Sequence, residues 1–308
     1  MLAVVLALVS AIGYGSSDFA AGLASRSAPV IQITLLASVV SGVIVAAALP
    51  FAASPGPSGS ALAWGFVAGL GGTLGAFALY LGFRYAAFSV AGPLSAVASA
   101  GFSVLAGLLY GERPTALALT GIVLALPAIV GVSVSAGAEE GGAEEGHAEP
   151  KPAATARQAA TGRQAATGRQ AAGVVYGLLA GAGFALLFIG LDQAGSDSGL
   201  WPVAAAAVGE LAAALVAAVA VRSFALCGGR ARLLAAIAGA GGAGGSILFF
   251  LATHHGFLAV TAVLTSLYPA VTIVLARTVL GERLTGLRLA GLGLAGVCVS
   301  LIAVGSAG

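Results

Sequence analysis

AGFSVLAGLLYGERPTALALTGIVLA, residues 100–125, recurs without a gap as AVTIVLARTVLGERLTGLRLAGLGLA at residues 270–295. Thirteen of the 26 aligned positions are identical, including Gly-Glu-Arg and the Thr two residues after it, more than shared apolar composition supplies by chance. The chain is therefore a tandem duplication with an offset of 170 residues. Each copy is an apolar run, a polar turn at GER and a second apolar run, the pattern of a helical hairpin that crosses a bilayer.

Composition agrees with that reading and removes several function classes. Of 308 residues 59% are apolar and only 8% charged, with a mean hydropathy of +1.05, whereas a soluble domain carries roughly 25% charge. The net charge of +2 comes from scattered basic residues with no aromatic interleaving, so nucleic acid is not an expected partner. Cys227 and Cys298 form no CxxC or disulfide pattern. The opening MLAVVLALVSAIGYGSSDF has neither a basic start nor an A-x-A cleavage site, which predicts an uncleaved first membrane helix.

Apolar runs between polar, Pro or Gly punctuation predict ten transmembrane helices, at roughly 2–24, 29–50, 61–83, 88–110, 115–136, 173–192, 200–222, 232–253, 257–280 and 286–305. The fold class is thus an all-α integral membrane protein in three parts: a first five-helix repeat at 1–136, a linker at 137–172 and a second five-helix repeat at 173–308. Five is odd, so the second repeat enters the membrane from the opposite side. The repeats are inverted, an arrangement that places a substrate pathway between them near the midplane. The linker, with its RQAATG repeats, five Glu and little to bury, is expected to be a flexible tether. Gly69 to Gly72 and Gly239 to Gly245 are glycine clusters that the offset pairs with each other; small residues there mark close helix contacts in the third and eighth helices.

With the duplicated hairpin and the helix count in view, the chain resembles the drug/metabolite transporter superfamily, EamA branch, over everything outside the linker. TSLYPAVTIVLARTVLGERLT (265–285) is similar to the family's Thr-Pro, aliphatic run and GE-Arg/Lys pattern, with Pro269 in the expected place. The first copy has Ser99 at that position and Pro93 six residues earlier. GYGSSDFAAGLASR (13–26) is similar to the family's first-helix W-G-S-x-F segment. The resemblance implies membrane transport of a small solute with cytoplasmic termini. The short multidrug-resistance relatives of the superfamily use a carboxylate in their first helix, which directs attention to Asp18.

An ionisable side chain at bilayer depth costs at least about 2.5 kcal/mol, so each needs a partner, a wet cavity or a function. Asp18, beside Ser16 and Ser17 in the first helix, and Glu210, in the apolar run AAAAVGELAAAL of the seventh, are the two candidates. Asp18 is read either as a helix-contact residue or as a cavity carboxylate that binds a cation, a proton or a substrate amine; Glu210 either pairs across the bundle or supplies a second titratable group. Tyr14, Tyr80, Phe250 and Tyr268 are candidates for aromatic cavity walls, the alternative being packing. The repeat turns, Gly111-Glu112-Arg113 and Gly281-Glu282-Arg283, read as structural: left-handed glycine helix ends, capping threonines at 115 and 285, and side chains that satisfy exposed helix ends. His254 and His255 point about 100° apart on a helix and suit an interface better than a metal site. No metal or cofactor is expected.

Twelve of the thirteen Lys and Arg fall on the odd-numbered loops and their helix ends, so the positive-inside rule puts the linker in the cytoplasm and both termini outside, opposite to what the resemblance implies. The absence of a G-x-x-x-x-G-K-[ST] motif leaves an ion gradient or downhill flow as energy source. No nucleophile–base, HExxH or paired-carboxylate spacing suggests an enzyme. The expected function is a secondary transporter in the plasma membrane, exporting a small organic metabolite or drug; a facilitative permease and a structural membrane protein are the alternatives.

Overall fold

The structure, a computed structural model, describes residues 1–52, 56–85, 88–134, 154–224, 227–281 and 286–305. Every helical segment of the first half follows an apolar run: α1 (Leu2–Ser25), α2 (Val30–Ala48) with a 3-10 turn at Leu49–Phe51, α3 (Gly59–Tyr85), α4 (Phe88–Leu109) and α5 (Ala116–Val134). The second half holds α6 (Ala154–Gln193), α7 (Trp201–Ala220), α8 (Gly229–Thr253), α9 (Leu258–Thr265), α10 (Tyr268–Leu280) and α11 (Gly286–Gly305). No strand occurs among the described residues. Helix is the backbone's solution in lipid, where N–H and C=O groups must be satisfied within the segment. Seven spans among the described residues are long and apolar enough to cross a membrane, and three further apolar helices, Leu94–Leu109, Ala116–Ile129 and Leu289–Gly305, are shorter.

Two elements differ from the expectation. Residues 257–280 form two helices instead of one, broken at Ser266 and Leu267. Pro269 sits in the first turn of α10, where it has no N–H to give to the preceding turn, so the helix restarts instead of continuing. The expected flexible linker is helical from Ala154 through Ala172, continuous with α6. Its Ala, Arg and Gln are all strong helix formers, and propensity propagates the helix even where nothing apolar has to be buried. Residues 135–153 lie outside the described residues.

Helices α1 and α8 pack along much of their length, as do α3 and α6; α5 lies on α11, α4 on α6 and α9, α7 on α3 and α2, and α10 on α1. Lipid supplies no hydrophobic force between helices, so contact depends on close backbone approach. A Cβ on Gly13 of α1 would lie 2.9 Å from Gly241 O and 2.9 Å from Gly245 N of α8. One on Gly183 of α6 would lie 2.6 Å from Gly75 N and 2.7 Å from Gly71 O of α3. The two glycine clusters are thus the contact faces of α3 and α8. Hydroxyls bind across the first interface: Ser10 Oγ donates to Gly245 O at 2.8 Å and Ser17 Oγ to Ala238 O at 2.8 Å.

The first GER turn joins the two halves. Gly111 has φ +91°, a conformation open to glycine, and Gly281 ends α10 at φ +71°. Thr115 Oγ accepts from Ala118 N at 3.2 Å and donates to Gly305 O at 2.9 Å, so it caps α5 and ties it to α11. The Glu112 carboxylate accepts from Leu258 N and, at 2.9 Å, from Ala259 N, capping α9 across the chain's midpoint. Its oxygen lies where a side chain on Gly107 would stand. Burial pushes this carboxyl above the usual range, and the two backbone donors pull it back. Arg113 is exposed. Glu282, Arg283 and Thr285 lie outside the described residues.

Candidate functional site

Between α1, α2 and α3 on one side and α6, α7 and α8 on the other lies a cavity of about 130 Å³, with Tyr268 at the start of α10 closing one part of its wall. Helical periodicity decides which side chains reach it. On α1 the lining residues Tyr14, Ser17, Asp18 and Ala21 follow i, i+3, i+4, i+7; on α2 Thr34, Ser38 and Ser41 follow i, i+4, i+7. Gly72, Thr73 and Tyr80 come from α3, and Glu210 from α7. Across from Asp18 the α6 wall is apolar, with Phe184, Leu187 and Phe188. Phe188 is held in place by stacking on Phe249, ring centroids 4.4 Å apart, and by an inclined contact with Tyr14 at 6.0 Å.

The two carboxylates are differently supported. Ser41 Oγ donates to Glu210 Oε2 at 3.4 Å, and Thr73 Oγ1 donates to the Glu210 backbone oxygen at 3.3 Å, fixing α7 against α2 and α3. Asp18 has no hydrogen-bond or ion-pair partner among the described residues, and it keeps surface toward the cavity. Tyr14, Tyr80 and Tyr268 all lie within electrostatic range of it. Tyr14 is anchored by a 2.9 Å bond between its hydroxyl and Ser246 Oγ. Tyr268 is 7% exposed, and its hydroxyl lies beside that of Ser95. No Lys, Arg or His is among the described residues that line the cavity. Such a space can hold a small solute and offers it negative charge, hydroxyls and aromatic faces.

Of the residues singled out from sequence, Tyr14, Ser17, Asp18, Tyr80, Glu210 and Tyr268 meet in this cavity. Ser16 does not line it: two residues from Asp18 is about 200° around the helix. Phe250 is also elsewhere, 3% exposed in a core cluster and against the His254 ring at 4.3 Å, because it stands two turns beyond Gly242 along α8. His254 caps the end of α8, with Nδ1 bonded to Phe250 O. Thr34, Ser38, Ser41 and Thr73 were missed. The α2 stripe at 34, 38 and 41 was the signal available, three hydroxyls on one face of an otherwise apolar helix.

Comparison with known proteins adds two findings. A solved crystal structure aligns with a TM-score of 0.70 over 98% of this chain and 98% of its own, at 15% sequence identity, a likeness of fold. No curated protein matches the sequence. The model of the EamA-like transporter family, part of the drug/metabolite transporter superfamily, matches residues 1–134. Its members are membrane transporters of small molecules, and together with the apolar helices the match makes this a multi-pass membrane protein. Over residues 1–134, somewhat less than half of the chain, the sequence is similar to the EamA-like transporter family.

Proposed function

We propose that the chain is a secondary transporter in the plasma membrane that exports a small organic solute through the cavity by alternating access of two inverted five-helix repeats. The observation that carries this reading is the cavity itself, built from three helices of each half and holding two carboxylates without a basic partner. Burying such groups is costly unless they bind something, so a structural role accounts for them poorly. The volume, about 130 Å³, is well below the roughly 300 Å³ at which drug-sized pockets begin, which favours a small metabolite over a drug.

The repeat arrangement has support beyond the sequence offset. Exchanging each helix for its counterpart turns the α1–α8 contact into α6–α3, α2–α8 into α7–α3 and α10–α1 into α4–α6. The contacts α5–α11, α2–α7 and α4–α9 exchange onto themselves. Gly13 with Gly241 and Gly245 becomes Gly183 with Gly71 and Gly75, atom for atom the same kind of approach. Counting α9 and α10 as one crossing, the described residues hold ten helices, five on each side, and in this reading the odd number places the twofold axis in the membrane plane.

Asp18 is the coupling residue in this reading: it carries a proton when the solute is absent and releases it when a cationic group arrives. The test compares metabolite profiles of cells producing the chain, the Asp18→Asn variant at equal membrane level, or neither. Loss of a defined set of small solutes from cells with the wild-type chain alone is the expected result. Identical profiles in all three would refute the transport reading.

A further inference from the structure

We propose that the solute is a small primary ammonium ion, bound with its charged head between Asp18 and the tyrosines of the cavity and its apolar part against Phe184 and Phe188. This deepens the transport reading and rests on it. Charge comes first: two carboxylates and no lining cation among the described residues select against anions. Position comes second. Asp18 is unpartnered among the described residues, and Tyr14, Tyr80 and Tyr268 line the same cavity, a setting in which a cation can gain from a counter-ion and from aromatic side chains together.

An independent observation separates a primary amine from a quaternary one. The Tyr268 hydroxyl is buried in the cavity wall beside Ser95, and its oxygen, with two lone pairs, keeps acceptor capacity for a donor in the cavity. An NH3 group has three N–H donors, enough for Asp18, the Tyr268 oxygen and one more hydroxyl such as that of Thr73 or Ser38. A tetraalkylammonium has none. Size sets the rest: the cavity is close to the roughly 150 Å³ that accommodates benzene in other proteins, so about six heavy atoms fit. The apolar α6 wall takes the hydrocarbon, which a bare inorganic cation or ammonia would leave unmatched.

The experiment uses the purified full chain and four probes of similar size: cyclopentylamine, cyclopentanol, cyclopentanecarboxylate and tetramethylammonium. Binding is read by calorimetry at neutral pH, and exchange by amine-driven release of protons from reconstituted vesicles. Cyclopentylamine is expected to bind at least tenfold more tightly than the other three. Asp18→Asn should weaken it by tenfold or more. Tyr268→Phe, which keeps the ring and removes only the hydroxyl, should weaken cyclopentylamine severalfold and leave tetramethylammonium unchanged. Equal binding of cyclopentanol or of the carboxylate, or cyclopentylamine binding untouched by both substitutions, would overturn the proposal. Amine binding with the expected variant pattern but no proton release would leave the amine site standing and refute proton exchange at Asp18 instead.

Discussion

Glu112→Ala removes both acceptors at the start of α9, and the structure allows its effect to be sized. Leu258 N and Ala259 N lose a carboxylate partner, and at about 1.5–3 kcal/mol for a hydrogen bond to a charged group the full loss would be about 3–6 kcal/mol. The site is half-buried, so water recovers part of it, and about 3 kcal/mol is the working figure. Glu112→Gln keeps one acceptor oxygen, and because burial already works against the charge, it should cost about half as much, near 1.5 kcal/mol. At about 2 °C per kcal/mol for a chain of this length, thermal unfolding in detergent should shift by about 6 °C and 3 °C. Gly107 supplies a sharper check. A Cβ there displaces the Glu112 carboxylate, so Gly107→Ala should be destabilising in wild type. In the Glu112→Ala background the two nearest contacts are gone and the next is Ala259 N at 3.3 Å, and Ala is the better helix former by about 1 kcal/mol, so the effect should fall to nothing or change sign. Additive losses in the double variant, or wild-type melting of Glu112→Ala, would refute the cap.

Other outcomes follow from the same geometry. Gly183→Ala and Gly13→Ala should be destabilising to a similar degree, about 1–3 kcal/mol by overpacking, since each forces two backbones apart by about 1 Å; helix-pair disulfide trapping or thermal melting reads this, and a neutral pair would show that the two interfaces are not tightly closed. Cyclopentylamine binding should weaken as pH falls, because a proton neutralises the counter-ion, and Asp18→Asn should abolish that dependence while Glu210→Gln retains it; the groups facing Asp18 are Tyr14, Tyr80, Tyr268 and, in the same cavity, Glu210. Tags at both termini should react with an impermeant reagent in intact cells, as the distribution of twelve of the thirteen Lys and Arg dictates; protection would mean that the family's orientation prevails over that asymmetry.

The positions of the helices were legible because lipid demands long apolar runs and the chain punctuates them with Pro, Gly and charge. The break between α9 and α10 was not, although Pro269 stood in view: a proline in a membrane helix can be absorbed as a kink, and whether the helix restarts depends on what packs around the break. Here Ser266 Oγ finds Ser99 Oγ at 3.2 Å and Thr265 Oγ1 finds Ala7 O at 3.3 Å, partners from α4 and α1 that only packing brings near. Depth along a helix was similarly hidden. Phe250 and Tyr80 occupy equivalent positions at the 170-residue offset, and Tyr80 lines the cavity while Phe250 fills a core. Helix α6 shows the limit from the other side, since its extension to Ala154 follows from residue propensity while the polar composition had suggested a tether.

That pairing of Tyr80 with Phe250 is one case of a pattern that ties the fold to the chemistry. At the same offset Asp18 corresponds to Phe188, Tyr14 to Phe184, Ser17 to Leu187 and Glu210 to Val40. The glycine pairs at the α1–α8 and α6–α3 contacts, Gly13 with Gly183, Gly71 with Gly241 and Gly75 with Gly245, are by contrast kept in both copies, as is GER, whereas Gly65 and Gly209 of the α3–α7 contact correspond to Ala235 and Val39. The two sets answer to different constraints. At the α1–α8 and α6–α3 crossings the backbone approach under 3 Å admits no side chain in either copy, so duplication preserves these pairs. A cavity between the copies is a single space seen from two sides, and a second aspartate at 188 would put like charges across about 130 Å³ of poorly solvated volume, each raising the cost of ionising the other. One wall charged and the opposite wall aromatic is the arrangement that avoids this repulsion and still grips a cation with a hydrocarbon tail. The divergence of the repeats at the cavity, set against the shared glycines of the α1–α8 and α6–α3 contacts, is what a duplicated scaffold requires once a single polar solute has to pass between its halves.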